Sequence, residues 1–381
     1  MLPDAVTYGR PAQAGRLLLR PAADAQSRIA GHWATPVAAL LVLLLLPGCR
    51  SLAGAPSLER YEFHELHMGT RCSITLFAAS GAAATNAARA AFARVAALDR
   101  ALTDYTDDSE LVRLFKAPPR VPHPVSEDLF DVLQRAQRIS RLTGGAFDVT
   151  IGPLVQLWRR ARRQRELPRP EALAAARAAV GFEKLQLDPR NRTATLAADG
   201  MRLDLGGIAK GYAADQALAV LRAQGFRRAM VAIAGDIAVG APPPGRDGWH
   251  LGIASVDARG GEFTRIVSLR HAAISTSGDT EQFVEINGRR YSHIVDPHTG
   301  IGLTHRLGVT VVARDAATTD ALATAISVLG VERGLRLIER QPAAAALIVQ
   351  LDAAGGKKLV ESSRFSKVAP TVHPTSTRST P

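Results

Sequence analysis

Asp320 and Thr324 stand four residues apart in the segment Asp320-Ala-Leu-Ala-Thr324. On a helix that spacing puts a carboxylate and a hydroxyl on one face. Two hard oxygen donors suit Mg²⁺, which keeps water and substrate phosphate as its other ligands. The plain alternative is a helical Asp beside a Thr that bonds back to its own backbone. A second group is Asp204-Leu-Gly-Gly-Ile-Ala-Lys-Gly-Tyr212, read as a strand running into a helix. Glycines at such a turn let backbone N–H groups approach a phosphate, the helix start favours negative charge, and Lys210 adds a point charge. Gly206, Gly207 and Gly211 have the spacing of neither a Walker A loop nor a dinucleotide fingerprint, so a tight structural turn stays open. The third group is Ile274-Ser-Thr-Ser-Gly-Asp279 followed by Tyr291-Ser-His-Ile-Val-Asp-Pro-His-Thr-Gly300. His293 falls at the end of a strand pattern, where an imidazole can act as a base near neutral pH; a hydrogen-bonded structural His is the alternative. Ser275, Ser277 and His293 raise a serine hydrolase, but there is no Gly-x-Ser-x-Gly elbow and no acid is assigned to a triad.

These groups need elements to hold them. Apolar residues at helical spacing predict a helix over 81–102, and capping signals predict others at 109–115 and 126–143, the last ended by Gly144-Gly145. Residues 146–151 read as extended, and Pro153 begins a helix carrying Leu154, Leu157 and Trp158. The charge run 159–174 reads as an exposed insertion or helix end. Strand patterns occupy 61–66 and 72–77, a hairpin 185–196, and then 229–239, 250–254, 265–269, 282–286, 291–295 and 307–312. Asn287-Gly288 between two alternating runs is a hairpin turn signal. Helices return at 316–329 and 332–339. Strands and helices in separated runs predict an α+β fold.

The bulk numbers narrow the function classes. The chain has 381 residues, 46% hydrophobic and 22% charged, with 5% aromatics, too few for a stacking-based reader of single-stranded nucleic acid. The net charge of +12 suits an anionic ligand or an anionic membrane surface. Residues 1–33 carry Arg10, Arg16, Arg20 and Arg28; the apolar run Val37–Leu46 and Pro47-Gly48-Cys49 follow. That order reads as a secretory signal, and the apolar run is short for a permanent span. Export makes a nucleic-acid partner improbable. The only other cysteine, Cys72, lies in a strand-like run and reads as a buried small hydrophobe.

Taken in order, the segments resemble the ApbE family of FAD:protein FMN transferases. The matching pieces are Met68-Gly-Thr70, Tyr105 with Asp108-Ser-Glu-Leu111, Gly144-Gly-Ala-Phe-Asp-Val-Thr-Ile-Gly-Pro153 and Asp204–Ala213. They continue with Gly235-Asp236, Ser275-Thr-Ser-Gly-Asp279, Ser292–Gly300 and Asp320–Thr324. Leu-Pro-Gly-Cys49 likewise resembles a bacterial lipobox, which implies lipidation of Cys49 and loss of residues 1–48. The resemblance implies an α+β, T-fold-like domain over 58–365 with a flavin-binding cleft, between a linker at 49–57 and a disordered tail at 366–381. It implies that Met68, Tyr105, Ala146, Phe147, Asp148 and Val295 line the flavin site and that Asp204 and Lys210 hold the nucleotide. It further implies Mg²⁺ on Asp320, Thr324 and a backbone carbonyl near Gly207, with His293 as the base for the acceptor hydroxyl. FAD is then the substrate and a Ser or Thr of a partner protein the acceptor. By analogy the acceptor is a membrane redox-complex subunit, and the chain is lipid-anchored in the bacterial envelope, facing the periplasm. An FAD pyrophosphatase and a non-catalytic flavin-binding lipoprotein are the competing expectations. One departure is Ala234-Gly235-Asp236, where the family often has Gly-Gly-Asp.

Overall fold

The computed structural model describes residues 57–371 apart from 255–262, 279–281 and 353–355. The signal segment, Cys49, Asp279 and the last ten residues lie outside that range.

The scaffold is an antiparallel sheet of eight strands: Glu59–His67 (β1), Thr70–Ala78 (β2), Ala229–Ile233 (β3), Asp236–Val239 (β4), Ala272–Gly278 (β5), Arg306–Ala313 (β6), Ala345–Leu351 (β7) and Lys357–Glu361 (β8). Their order across the sheet is their order in the chain, and every neighbouring pair is antiparallel. The run 229–239, which reads as one strand in sequence, is folded back at Ala234-Gly235 into β3 and β4.

The central strands β6 and β7 are buried along most of their length, because both faces are covered. On one face lie the helices Gly81–Leu102 (α1), Ala209–Ala223 (α6) and Ala316–Glu339 (α7). α1 buries Ala84, Ala87, Ala88, Ala91, Val95, Leu98 and Leu102, a stripe at three- and four-residue spacing, against Ile74 and Leu76 of β2. α7 sets Leu322 and Ile326 on Val309, Val311 and Ile348. The other face is covered by a hairpin of strands Trp249–Ala254 and Phe263–Leu269, whose Trp249, Leu251 and Val267 meet Ile274, Val312 and Phe365.

Between β2 and β3 the chain inserts the helices Glu110–Lys116 (α2), Glu127–Thr143 (α3), Gly152–Gln164 (α4) and Pro170–Ala178 (α5), together with a small sheet that includes Leu185–Asp188 and Thr193–Leu196. Ser80, Ser109 and Ser126 cap α1, α2 and α3 by accepting a hydrogen bond from the backbone N–H three residues on, the last two as the sequence signals predict. Gly144 ends α3 in the left-handed conformation, φ 61°. Residues 146–150 form bends and a turn instead of the expected extended run, because Asp148 folds the backbone onto Thr150. The charge run is helical through Gln164 and again in α5, and α7 breaks at Gly330, φ 75°, between its two predicted halves. The strand expected at 291–295 is shorter, Arg289–Ser292. Past residue 365 the chain stays packed: Phe365–Val368 is a helical turn, Ala369 is fully buried, and Ser268 N–H donates to the Pro370 carbonyl at 3.0 Å. Residues 366–371 therefore belong to the domain rather than to a disordered tail.

Candidate active site

The β1–β2 turn, the β3–β4 turn, the end of β5 and the start of β6 all lie at one end of the sheet, as the antiparallel order requires. Met68-Gly69, Ala234-Gly235, Ser277-Gly278 and Gly308 from these four places form part of the wall of a single cleft of about 890 Å³. That volume is at the upper end for small-molecule sites and suits a dinucleotide. Two of the turns carry a non-glycine residue in the left-handed region, Met68 at φ 52° and Ala234 at φ 51°. Such strain costs about 1–3 kcal/mol per residue and collects at ligand sites.

The opposite wall comes from the helices. α6 and α7 cross in contact because position 211 has no side chain: a Cβ there would lie 2.1 Å from the Ala316 carbonyl oxygen and 2.8 Å from the Ala317 nitrogen. Asp215 of α6 reinforces the crossing by accepting from Ala316 N–H at 2.8 Å and Ala317 N–H at 2.9 Å, a cap supplied from a neighbouring helix. The close approach brings Lys210 of α6 to Asp320 of α7, with Nζ 3.4 Å from Asp320 Oδ2 and 3.1 Å from Asp236 Oδ2. Burial, and then the neighbouring Asp236 charge, push the Asp320 carboxyl well above the ordinary carboxylate range, while Lys210 pulls it back. Although burial opposes it, the two carboxylates raise the Lys210 ammonium, so it stays charged.

Thr324 lies one turn beyond Asp320 and lines the same cleft. Thr319 and Ser327 of this helix donate back to the carbonyls of Ala316 and Ala323, but Thr324 Oγ1 has no such bond, so the plain helical alternative is not adopted. Gly207 lies against it: a Cβ at 207 would sit 3.0 Å from Thr324 Oγ1 and 3.3 Å from the Phe147 ring. A carboxylate, an unengaged hydroxyl and a side-chain-free backbone thus converge at one place. Among the described residues no group of three or more His, Cys, Asp and Glu side chains is placed to hold a metal. The donor set here is a mixed oxygen one, which fits a hard cation such as Mg²⁺.

His293 is exposed on the far wall, and its Nδ1 donates to the Gln282 carbonyl at 3.1 Å. That bond places a ring proton on Nδ1, so in the neutral ring Nε2 is the basic nitrogen. Ala146, Phe147 and Val295 are buried cleft residues. Asp148 lines the cleft too, but its Oδ1 accepts from both Thr150 N–H at 2.8 Å and Thr150 Oγ1 at 2.7 Å, so it shapes the loop. Burial raises the Asp148 carboxyl against these bonds. Every residue from Met68 to Thr324 singled out in the sequence for flavin, nucleotide, metal or base is therefore part of this one cleft. Ser275 is not: it is fully buried and bonded to Thr319 Oγ1 at 2.7 Å, which removes it as a nucleophile.

Sequence reasoning missed Arg159 by placing it in a solvated charge run. It lines the cleft with Ile151, Val155, Trp158 and Arg162, a four-, three- and four-residue spacing along α4 that could have found it. Its Nη2 donates to Asp204 Oδ2 at 3.0 Å, its Nη1 to Asp104, and its guanidinium lies 4.6 Å from the centre of the Tyr105 ring. Asp204 also accepts from Gly206 N–H at 2.8 Å. Its carboxyl is pushed up by burial and then by Asp104, and drawn down by Arg159.

The chain is similar to known proteins over most of its length. The profile described as the ApbE family matches residues 68–348. An FAD:protein FMN transferase of Vibrio cholerae is 36% identical over 337 residues, covering 86% of this chain and 96% of its own length. One from Klebsiella pneumoniae is 33% identical over 322 residues, covering 82% and 92%. Among solved structures, the flavin transferase ApbE from Vibrio cholerae superposes with a TM-score of 0.73 at 31% identity, over 82% of this chain and 99% of its own. The apo flavinyl transferase ApbE of Pseudomonas stutzeri gives 0.73 at 30% identity, over 82% and 97%.

Proposed function

The chain belongs to the ApbE family, and from that premise we propose that it is an FAD:protein FMN transferase, moving FMN from FAD to a Ser or Thr hydroxyl of an acceptor protein with release of AMP. The observation that carries the reading is the single cleft, in which the Lys210–Asp320–Thr324 corner and His293 form parts of one wall system. FAD lies along this cleft, its flavin against Met68, Tyr105, Ala146, Phe147 and Val295. Lys210 and the loop from Asp204 to Gly207 meet the pyrophosphate. Asp320, Thr324 and the Gly207 backbone are the residues that would hold Mg²⁺. When bound, the metal supplies charge neutralisation at the pyrophosphate and polarises the phosphorus under attack.

The remaining work falls to the chain's own groups. His293 Nε2 takes the proton of the acceptor hydroxyl, and Nδ1, anchored on the Gln282 carbonyl, fixes the ring's tautomer. The hydroxyl oxygen forms a bond to the FMN phosphorus, the bond from that phosphorus to the AMP oxygen breaks, and FMN stays on the partner as a phosphoester. Such transfer depends mainly on positioning and charge. The test uses the full chain, FAD, Mg²⁺ and a candidate acceptor protein, with mass spectrometry for an FMN adduct on Ser or Thr. An adduct that disappears with EDTA supports the reading; AMP and free FMN without an adduct would mean hydrolysis instead. His293→Ala is expected to lower the transfer rate about 10²- to 10⁴-fold, the usual range for losing a general base, with FAD affinity little changed.

The enzyme works at the bacterial envelope, held by a lipid on Cys49 and facing the periplasm, and its acceptor is a subunit of a membrane redox complex. The basic, apolar and Leu-Pro-Gly-Cys49 order of the first 49 residues supports this placement. No helix among the described residues is long and apolar enough to cross a membrane. In detergent phase partitioning of cells expressing the full chain, the wild type is expected in the detergent phase and Cys49→Ser in the aqueous phase. Equal partitioning of the two would remove the anchor.

A further inference from the structure

Arg159 ties together three segments remote in sequence: the turn after α1, helix α4 and the loop before α6. It places one positive charge between Asp104 and Asp204, side chains that are 15% and 12% exposed. The same guanidinium backs the ring of Tyr105, which is itself 79% exposed at the cleft rim. All four residues line the cleft. Two carboxylates in that wall would repel an anionic ligand, and charges at partly buried positions act with an effective dielectric far below that of water. One guanidinium held between them offsets one of the two charges and so weakens that repulsion. It also fixes Asp204, whose other oxygen accepts from Gly206 N–H and so sets the loop that carries Gly207.

We infer that Arg159 is a positioning residue for the nucleotide, holding Asp204 in the cleft wall and offsetting one of the two charges of Asp104 and Asp204, so that the cleft admits a flavin bearing a pyrophosphate. The inference rests on the proposed use of FAD and adds a residue to it. Its signature is a dependence on ligand charge: FAD feels the loss of Arg159, and riboflavin, which lacks the pyrophosphate, scarcely does.

The test uses the full chain as wild type, Arg159→Gln, Arg159→Lys, Asp104→Asn and the Arg159→Gln/Asp104→Asn double variant. Binding of FAD and of riboflavin is followed by flavin fluorescence, kcat and KM for FAD by adduct formation, and folding by thermal midpoint. Arg159→Gln is expected to weaken FAD about tenfold, the scale of one charge interaction near a protein surface, and riboflavin by less than about threefold on the same scale. KM for FAD rises with the FAD loss while kcat holds. Arg159→Lys retains most of the FAD affinity, and Asp104→Asn restores much of what Arg159→Gln loses, because it removes one of the two charges left facing each other. Equal weakening of both flavins, or no recovery in the double variant, overturns the inference and assigns Arg159 a purely structural brace. A wild type that binds no FAD overturns the functional reading itself, whereas normal FAD binding by Arg159→Gln in an active background overturns this inference alone.

Discussion

Gly211→Ala is expected to give the largest loss of stability of any single methyl addition in the α6–α7 contact. The added carbon would lie 2.1 Å from the Ala316 carbonyl oxygen and 2.5 Å from its carbon. Both are backbone atoms at the start of a helix, so no rotamer change relieves the clash and the helices must part. Overpacking typically costs about 1–3 kcal/mol when side chains can adjust; with backbone on the receiving side the cost should reach about 3 kcal/mol or more. At roughly 2–4 °C per kcal/mol, about 3 kcal/mol lowers the thermal midpoint by about 6–12 °C. Activity should fall further than the folded fraction, because parting the helices withdraws Lys210 from Asp320. Calorimetry with a transfer assay below the transition measures both. A midpoint within a degree or so of wild type would show that the helices do not cross as closely as described.

Asp320→Ala should do the opposite to stability and abolish activity. The carboxyl is buried, raised by that burial and by Asp236, and held by bonds of 3.3 Å from Gly211 N–H and 3.4 Å from Lys210. A carboxylate whose folded-state pKa is raised is one whose ionised form the fold disfavours, so its removal relieves a cost near neutral pH. Lys210 keeps Asp236 as a partner at 3.1 Å. The metal-free variant is therefore expected to melt at or above the wild-type temperature. Transfer should fall about 10³-fold or more, corresponding to roughly 4 kcal/mol of transition-state stabilisation. Added Mg²⁺ should raise the wild-type midpoint and leave that of the variant unmoved. Metal-dependent transfer that survives in Asp320→Ala would sink the proposed metal role.

The sequence disclosed the site better than the sheet that carries it. Short motifs such as Asp204–Tyr212 and Asp320–Thr324 were legible because their chemistry depends on local spacing, and the fold brings them to one cleft without altering that spacing. The capped helices were legible for the same local reason. β5 was read only as a polar motif, since Ser275-Thr-Ser277 lacks the alternation of a half-buried strand; it is a central strand with neighbours on both sides. β7 begins with Ala345-Ala346, residues with little intrinsic preference for strands, and is held by burial between β6 and β8. The hairpin at Ala234-Gly235 was hidden because a residue at φ 51° is unexpected for Ala. Arg159 was hidden by its arginine neighbours: Arg160 and Arg163 do face solvent, and only the helical phase separates them from it.

The order of the strands bears on how the protein comes to be folded at all. β2 and β3 are adjacent in the sheet, yet residues 79–228 intervene. Closing a flexible loop of that length would cost about 4 kcal/mol of chain entropy, so this pairing is unfavourable until the intervening helices have folded and shortened the path. That same excursion carries Tyr105, Phe147, Arg159, Asp204 and Lys210, while His293, Asp320 and Thr324 come from the chain after it. The binding cleft consequently does not exist before the sheet is joined across its longest connection. FAD can recognise only the completed molecule, and an excess of about a hundredfold over its dissociation constant would add roughly 2.7 kcal/mol to the folded state. The substrate would then act as a clasp across the last seam to close, and newly made chains would gain resistance to proteolysis from the nucleotide they later consume.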